Sequence, residues 1–196
     1  EGNECVNHSY WSVQLQNIKN SKVLNNKINN QNSQGHGIWL YDLQSPISAT
    51  ENRIFAKNFG MLILRSDDIT GERGLIANNF IHVTIDSSEG YGLSIFPIND
   101  TRVNIYYNTI RLVGNFSQNA SSMVILNSDL SSQDIKNNII INEVGGYAIR
   151  NSSSVTLSNY NDIVTTGAHL VRWNNINYPD IASYQTATGQ DLNSIS

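Results

Sequence analysis

The chain is poor in residues that cross-link, carry charge or cross a membrane. Cys5 is its only cysteine in 196 residues. A lone thiol closes no internal disulfide, so packing and hydrogen bonds must hold the fold. Cys5 is expected to be a buried free thiol, with pairing outside this stretch as the alternative. Charged residues make up 14% of the chain and the formal net charge is −4. No basic patch of the kind nucleic-acid binding needs is visible, so no nucleic-acid partner is expected. No apolar run approaches the length of a membrane-spanning helix, so membrane insertion is not expected either. The four histidines, His8, His36, His82 and His169, show no metal-ligand spacing, and neither a metal nor a cofactor is expected. No stretch carries a convincing helical period, and the apolar segments are too short for βαβ crossovers.

Asparagine, by contrast, is abundant, at 29 residues. Six of these asparagines recur in one phrase: an apolar or small residue, two spacers, Asn, one spacer and Ile. The copies are Val23–Asn26–Ile28, Ala49–Asn52–Ile54, Ile76–Asn79–Ile81, Ile105–Asn108–Ile110, Ile135–Asn138–Ile140 and, more weakly, Ser158–Asn161–Ile163. Their spacing of roughly 23–30 residues is that of stacked-repeat architectures. Ahead of five of these asparagines, a Gly or other small residue leads an alternating apolar run. These runs are Gly37–Leu40, Gly60–Leu64, Tyr91–Ile95, Ser122–Leu126 and Gly146–Ile149. Each repeat therefore holds at least two short strands separated by turns rich in Asn, Ser, Asp and Gly.

A unit of this size cannot bury its own inner face. Stacking at about 4.8 Å buries one apolar column and pairs each backbone with its neighbours. The apolar residue three before the asparagine and the Ile two after it should point inward. An inward asparagine needs amide partners, and identical amides one coil apart supply them as a ladder. Asn also tolerates the left-handed backbone that tight corners demand.

With these six phrases and Gly-led strands, over about residues 13–173, the chain resembles the right-handed parallel β-helix repeat proteins, the pectate-lyase-like superfamily. The stretch from Tyr178 to Ile195 resembles a segment that ends β-helix domains in large secreted proteins of Bacteroidetes-type bacteria. The expected fold is all-β, a right-handed, single-stranded parallel β-helix of about six to seven coils. Residues 1–12 form a lead-in or partial cap, with Tyr10 and Trp11 placed to plug the first coil. Residues 13–177 form the β-helix. Residues 178–196 form a C-terminal cap or linker, with a short helix from Ile181 to Ala187, Asp180 as N-cap and Gly189 closing it. The chain reads as a section of a longer polypeptide.

The resemblance implies secretion and carbohydrate chemistry, and two functions stay open. One is a non-catalytic module of a secreted or cell-surface bacterial protein, a rigid spacer with a surface for a polysaccharide or a surface protein. The other is part of a polysaccharide lyase or glycoside hydrolase. Hydrolases need paired carboxylates, and the only adjacent acidic pair is Asp67–Asp68. Lyases need a basic residue and a charge that neutralises a uronate carboxylate. Arg65, Asp67, Asp68, Glu72 and Arg73 are the right types, but they share one loop and fit no calcium motif. No catalytic residue is assigned. Trp39 and Tyr41 alternate with inward Ile38 and Leu40, so they should project outward as sugar-stacking rings. Tyr106, Tyr107 and Trp173 are further candidates. His82 and Arg111 share one offset from their asparagines and should stack on an outer face. The same offset holds Asn29, Phe55, Ile141 and Val164. Candidate substrate contacts are thus Trp39, Tyr41, Arg65, Asp67, His82 and Arg111.

Overall fold

A computed structural model describes residues 1–44, 46–65, 72–96, 102–126, 132–152 and 155–196, without the side chains of Val155 and Thr156. Each coil lays down three strands. The first coil holds β1 (Glu4–Val6), β2 (Trp11–Gln16) and β3 (Lys22–Leu24). The second holds β4 (Lys27–Asn30), β5 (His36–Tyr41) and β6 (Ser48–Thr50). Next come β7 (Arg53–Lys57), β8 (Phe59–Leu64) and β9 (Gly74–Ala77), then β10 (Phe80–Ile85), β11 (Tyr91–Phe96) and β12 (Arg102–Tyr106). The following coils are β13 (Thr109–Gly114), β14 (Ser121–Ile125) and β15 (Ser132–Lys136), then β16 (Ile139–Asn142), β17 (Tyr147–Asn151) and β18 (Val155–Asn159). The chain ends with β19 (Asp162–Thr165), β20 (Val171–Trp173), β21 (Ile176–Tyr178) and α1 (Ile181–Thr188). Strands of the same rank stack into three sheets of seven, eight and six strands. All pairings between these strands are parallel except β20 with β21. The fold is a parallel β-solenoid. Turns stacked on both sides number about five, below the six to seven expected, because the end coils have neighbours on one side only.

The repeated phrase is the corner between the third sheet and the first. Its apolar position forms the inward column Val23, Ala49, Ile76, Ile105, Ile135, Ser158 of the third sheet. Its isoleucine forms the column Ile28, Ile54, Ile81, Ile110, Ile140, Ile163 of the first. Cys5 begins this second column, opposite Ile28. It is a free thiol, and only half-buried because no residue stacks beneath it. The second sheet faces both columns with Ile38, Met61, Leu93, Met123 and Ile149, all fully buried.

The small residue that leads each second-sheet strand has a steric cause. A Cβ on Gly60 would lie 2.5 Å from the Gly92 carbonyl oxygen and 2.5 Å from Ile81 Cγ2. A Cβ on Gly92 would lie 2.3 Å from Ile110 Cγ2. The coil is narrowest there, and backbone approaches the isoleucine column directly.

All six phrase asparagines are buried. The first five each donate Nδ2 to Oδ1 of the asparagine one coil on, at 2.9–3.0 Å from Asn26 through to Asn161 Oδ1. The same Oδ1 accepts the backbone N–H of the previous ladder asparagine, at 2.9–3.1 Å. Nδ2 donates a second time, to the carbonyl of the apolar position one coil back, as from Asn138 to Ile105 at 2.9 Å. Asn3 begins the ladder with Nδ2 on Asn26 Oδ1 at 3.0 Å. At the far end Asn161 donates to Asp191 Oδ1 at 2.9 Å, and its N–H reaches Ser194 Oγ at 2.7 Å. The left-handed residue is not the ladder asparagine itself but the one before it: Asn25, Glu51, Asn78, Tyr107, Asn137 and Tyr160. The inward turn of the amide and the left-handed turn of the backbone thus fall on adjacent residues.

The C-terminal segment covers one end. Asn174 and Asn175, at φ 48° and 65°, make the two-residue turn that folds β21 back on β20. Asp180 caps α1 by accepting from Ser183 N–H, and left-handed Gly189 closes it. The helix buries Tyr184 against Trp173 and Tyr178, at ring distances of 5.4 and 5.6 Å. Gln190 Oε1 then takes the edge N–H of Ser158 at 2.8 Å, and Ile195 bridges to Asp162. Tyr10 and Trp11 do not plug the other end. Tyr10 is 54% exposed, and Trp11 stacks on the outward ring of Trp39, since the inward positions of β2 go to Val13 and Leu15.

Two stability predictions follow from the ladder. Asn138→Leu should strand the backbone N–H of Asn108 and remove one of the two donors on Asn161 Oδ1, and cost about 3 kcal/mol. Asn26→Leu should cost about 1 kcal/mol, because its Asn3 partner is exposed and turns to water. Equal losses in chemical denaturation would contradict this. Tyr107 holds φ 57° with its ring 61% exposed, at a corner where three other coils use asparagine. Tyr107→Asn should therefore stabilise the chain by about 0.5 kcal/mol. A lower denaturation midpoint would contradict that.

Candidate functional site

Outward positions of the second sheet gather the aromatic side chains. Trp39 and Tyr41 project from β5 as expected, with ring centroids 5.5 Å apart. Trp11 stacks on Trp39 at 5.9 Å with an interplanar angle of 27°. His36 and Phe59 extend the strip at 5.0 Å, and Tyr91 follows Phe59 at 5.6 Å. Parallel register alone produces this: His36 lies opposite Trp11, and Phe59 opposite Tyr91. Arg65 joins the strip. Its guanidinium lies 5.5 Å from the Tyr41 ring centroid, donates to Tyr41 Oη at 2.9 Å and pairs with Asp42 at 3.3 Å. Arg65 also sits at the left-handed corner that Asn17 and Asp42 occupy in the two preceding coils. The Trp39 Nε1–H is buried without an acceptor. A buried donor left unpaired is costly and rarely incidental.

Asp67, with its neighbour Asp68, lies outside the described residues. Arg73, from the same sequence stretch, reaches across two coils of the third sheet, with Nε to Asn104 Oδ1 at 2.6 Å and Nη1 to Ser132 Oγ at 3.2 Å.

His82 and Arg111 stand on the outer face of a different sheet, the first. They are direct register partners there, in the row Asn29, Phe55, His82, Arg111, Ile141, Val164. The structure does not bring them to Trp39 and Tyr41. Arg111 is held by Glu143 through two bonds, Nε–Oε1 at 2.9 Å and Nη2–Oε2 at 3.0 Å. His82 packs on Phe55 at 5.6 Å. Burial, then the Arg111 charge, lower its pKa against the pull of Glu143, so it is a neutral ring at pH 7. The other aromatic candidates separate. Trp173 is an end-capping residue, 6% exposed. Tyr106 donates to Asp134 Oδ2 at 2.6 Å on the third sheet, and Tyr107 points away from it at a corner. Among the described residues no group of three or more His, Cys, Asp or Glu side chains is arranged to hold a metal.

Sequence reasoning missed one pocket, of about 420 Å³, at the corner between the first and second sheets. Phe116 lies on the Gly145 backbone there while 73% exposed. Tyr147 and His169 stack with rings 14° from parallel, and Tyr147 Oη bonds Asn177. Phe116 and His169 share one offset from their ladder asparagines but lie two coils apart, and Gly145 and Tyr147 of the coil between them fall at other offsets, so coil stacking brings them together. No family model, curated protein or solved structure matches the chain.

The buried His36 ties this face to pH. Its Nδ1 donates to the Lys57 carbonyl at 2.9 Å, which places a proton on that nitrogen. Burial lowers its pKa below the ordinary 6.5, outweighing the Lys57 bond and the Asp86 charge. A base whose folded pKa is depressed stabilises the fold above the unfolded value, and that contribution fades as pH falls. Thermal stability should therefore drop between pH 7 and pH 5, and His36→Gln should flatten that drop. An unchanged pH slope in the variant would refute the assignment.

Proposed function

We propose that this chain is a non-catalytic β-solenoid module of a large secreted or cell-surface bacterial protein. It serves as a rigid spacer, and its aromatic strip contacts a polysaccharide or the glycan of a partner surface. Membership of the pectate-lyase-like superfamily belongs to the same proposal, carried by the corner phrases and the Gly-led strands. One observation carries the functional reading. Trp11, Trp39, Tyr41 and Phe59 form a continuous outward band on one sheet, with an unsatisfied indole N–H inside it. Such rings offer apolar faces to pyranose rings. The charged side chains support a binding role. Lys57–Asp86, Arg65–Asp42, Arg111–Glu143 and Lys136–Asp134 neutralise each other locally.

The test uses affinity electrophoresis in pectate and alginate gels, with depolymerisation assays on the same polymers. The wild-type chain should be retarded, and Trp39→Ala and Tyr41→Ala should each weaken retardation several-fold at unchanged melting temperature. No unsaturated-uronate absorbance should develop, with or without Ca²⁺. Formation of that product, abolished by Arg65→Ala or Asp67→Ala, would replace this reading with a polysaccharide lyase.

A further inference from the structure

The outer row of the second sheet that contains Trp39 ends at two arginines. Arg150 and Arg172 are direct register partners on β17 and β20. Neighbouring parallel strands lie about 4.8 Å apart, and like charges placed opposite one another repel. Elsewhere this surface sets a carboxylate beside a cation, as Glu143 beside Arg111 and Asp86 beside Lys57. Here no carboxylate among the described residues pairs with either guanidinium. Arg150 lies 5.8 Å from the Tyr91 ring centroid, and Arg172 donates to Asn175 Oδ1 at 3.3 Å. Asn175 is held in place by its left-handed turn conformation. Both arginines are half-buried and line a pocket of about 300 Å³ with Leu126, Asn151, Ser152 and Asn175.

We propose that this pocket binds an oxyanion: a carboxylate, sulfate or phosphate group. Both arginines line one partly desolvated volume, and a guanidinium presents paired N–H donors matched to two oxygens. The bound anion supplies a negative charge where no carboxylate of the described residues pairs with either arginine, and relieves the repulsion between the two strands. A neutral ligand would leave that repulsion in place. The group is either a free ion or a substituent of a glycan lying along the same sheet. Trp39 stands four coils away in the same row, roughly 19 Å at strand spacing. The oxyanion site does not depend on the glycan reading.

Sodium sulfate is titrated into the full chain against sodium chloride of equal ionic strength, with calorimetry and thermal melting as readouts. Sulfate should bind saturably and raise the melting temperature beyond the chloride control. Arg150→Gln and Arg172→Gln should each weaken sulfate binding at least tenfold, whereas Arg53→Gln on the first sheet should leave it unchanged. In chloride alone, Arg172→Gln should melt at or above the wild-type temperature, because it removes one of two repelling charges. Equal sulfate responses in wild type and both pocket variants, or a sulfate effect no larger than that of chloride, would overturn the proposal. A second arm compares a sulfated oligosaccharide with free sulfate. Tighter binding of the oligosaccharide, reduced by Trp39→Ala, assigns the anion to a glycan. Equal affinity, insensitive to Trp39→Ala, assigns it to a free ion; the oxyanion site then stands while the glycan reading falls.

Discussion

Each ladder asparagine puts an amide inside an apolar column, where an unpaired N–H or C=O would cost more than a side chain's packing returns. The cost is avoided only if the next coil presents the same amide at the same height. That condition governs the whole molecule. It sets the spacing between coils, and it forces the corner to recur at one position per turn. The loops between strands are free to vary in length, since the interval between ladder asparagines runs from 23 to 30 residues without breaking the bonds. The isoleucine and valine columns on either side then stack in register because the asparagine between them does.

A ladder of identical donors and acceptors has no natural end. Asn3 begins it, and the C-terminal segment closes it with different chemistry. Asp191 and Ser194 supply the acceptors that a further asparagine would have supplied, and Gln190 takes an edge N–H of the third sheet. The helix carrying Tyr184 closes the apolar column over Trp173 and Tyr178. Polar and apolar parts of the last coil are thus covered by two pieces of one segment, so the strand edges at that end are not left as templates for other chains.

Because the interior is uniform, individuality sits on the outward rows. Parallel stacking turns one outward residue per coil into a line about 4.8 Å in pitch. The same rule writes an aromatic band on one sheet, a mixed His–Arg–Ile row on another and an arginine pair at the far end of the first band. A solenoid of this kind is a ruler for extended ligands, and its contacts are tuned by single outward substitutions that leave the ladder untouched.

The amino-acid sequence by itself determined the solenoid, the inward columns, the asparagine ladder and the capped terminal helix. Each rests on a local period or on a cap residue, and such signals survive in one dimension. It also determined that Trp39 and Tyr41 point outward and that His82 lies beside Arg111, since register follows from the common offset to the asparagine. Tertiary structure alone decided the third strand of each coil, whose three to five residues alternate too briefly to stand out. It alone decided that Trp11 belongs to the outer face, that Arg65 leans on Tyr41, and that Phe116 meets Tyr147 and His169. Those meetings depend on where side chains land after the chain has wound around one or more turns. No spacing along the sequence records that, because the loops between coils differ in length.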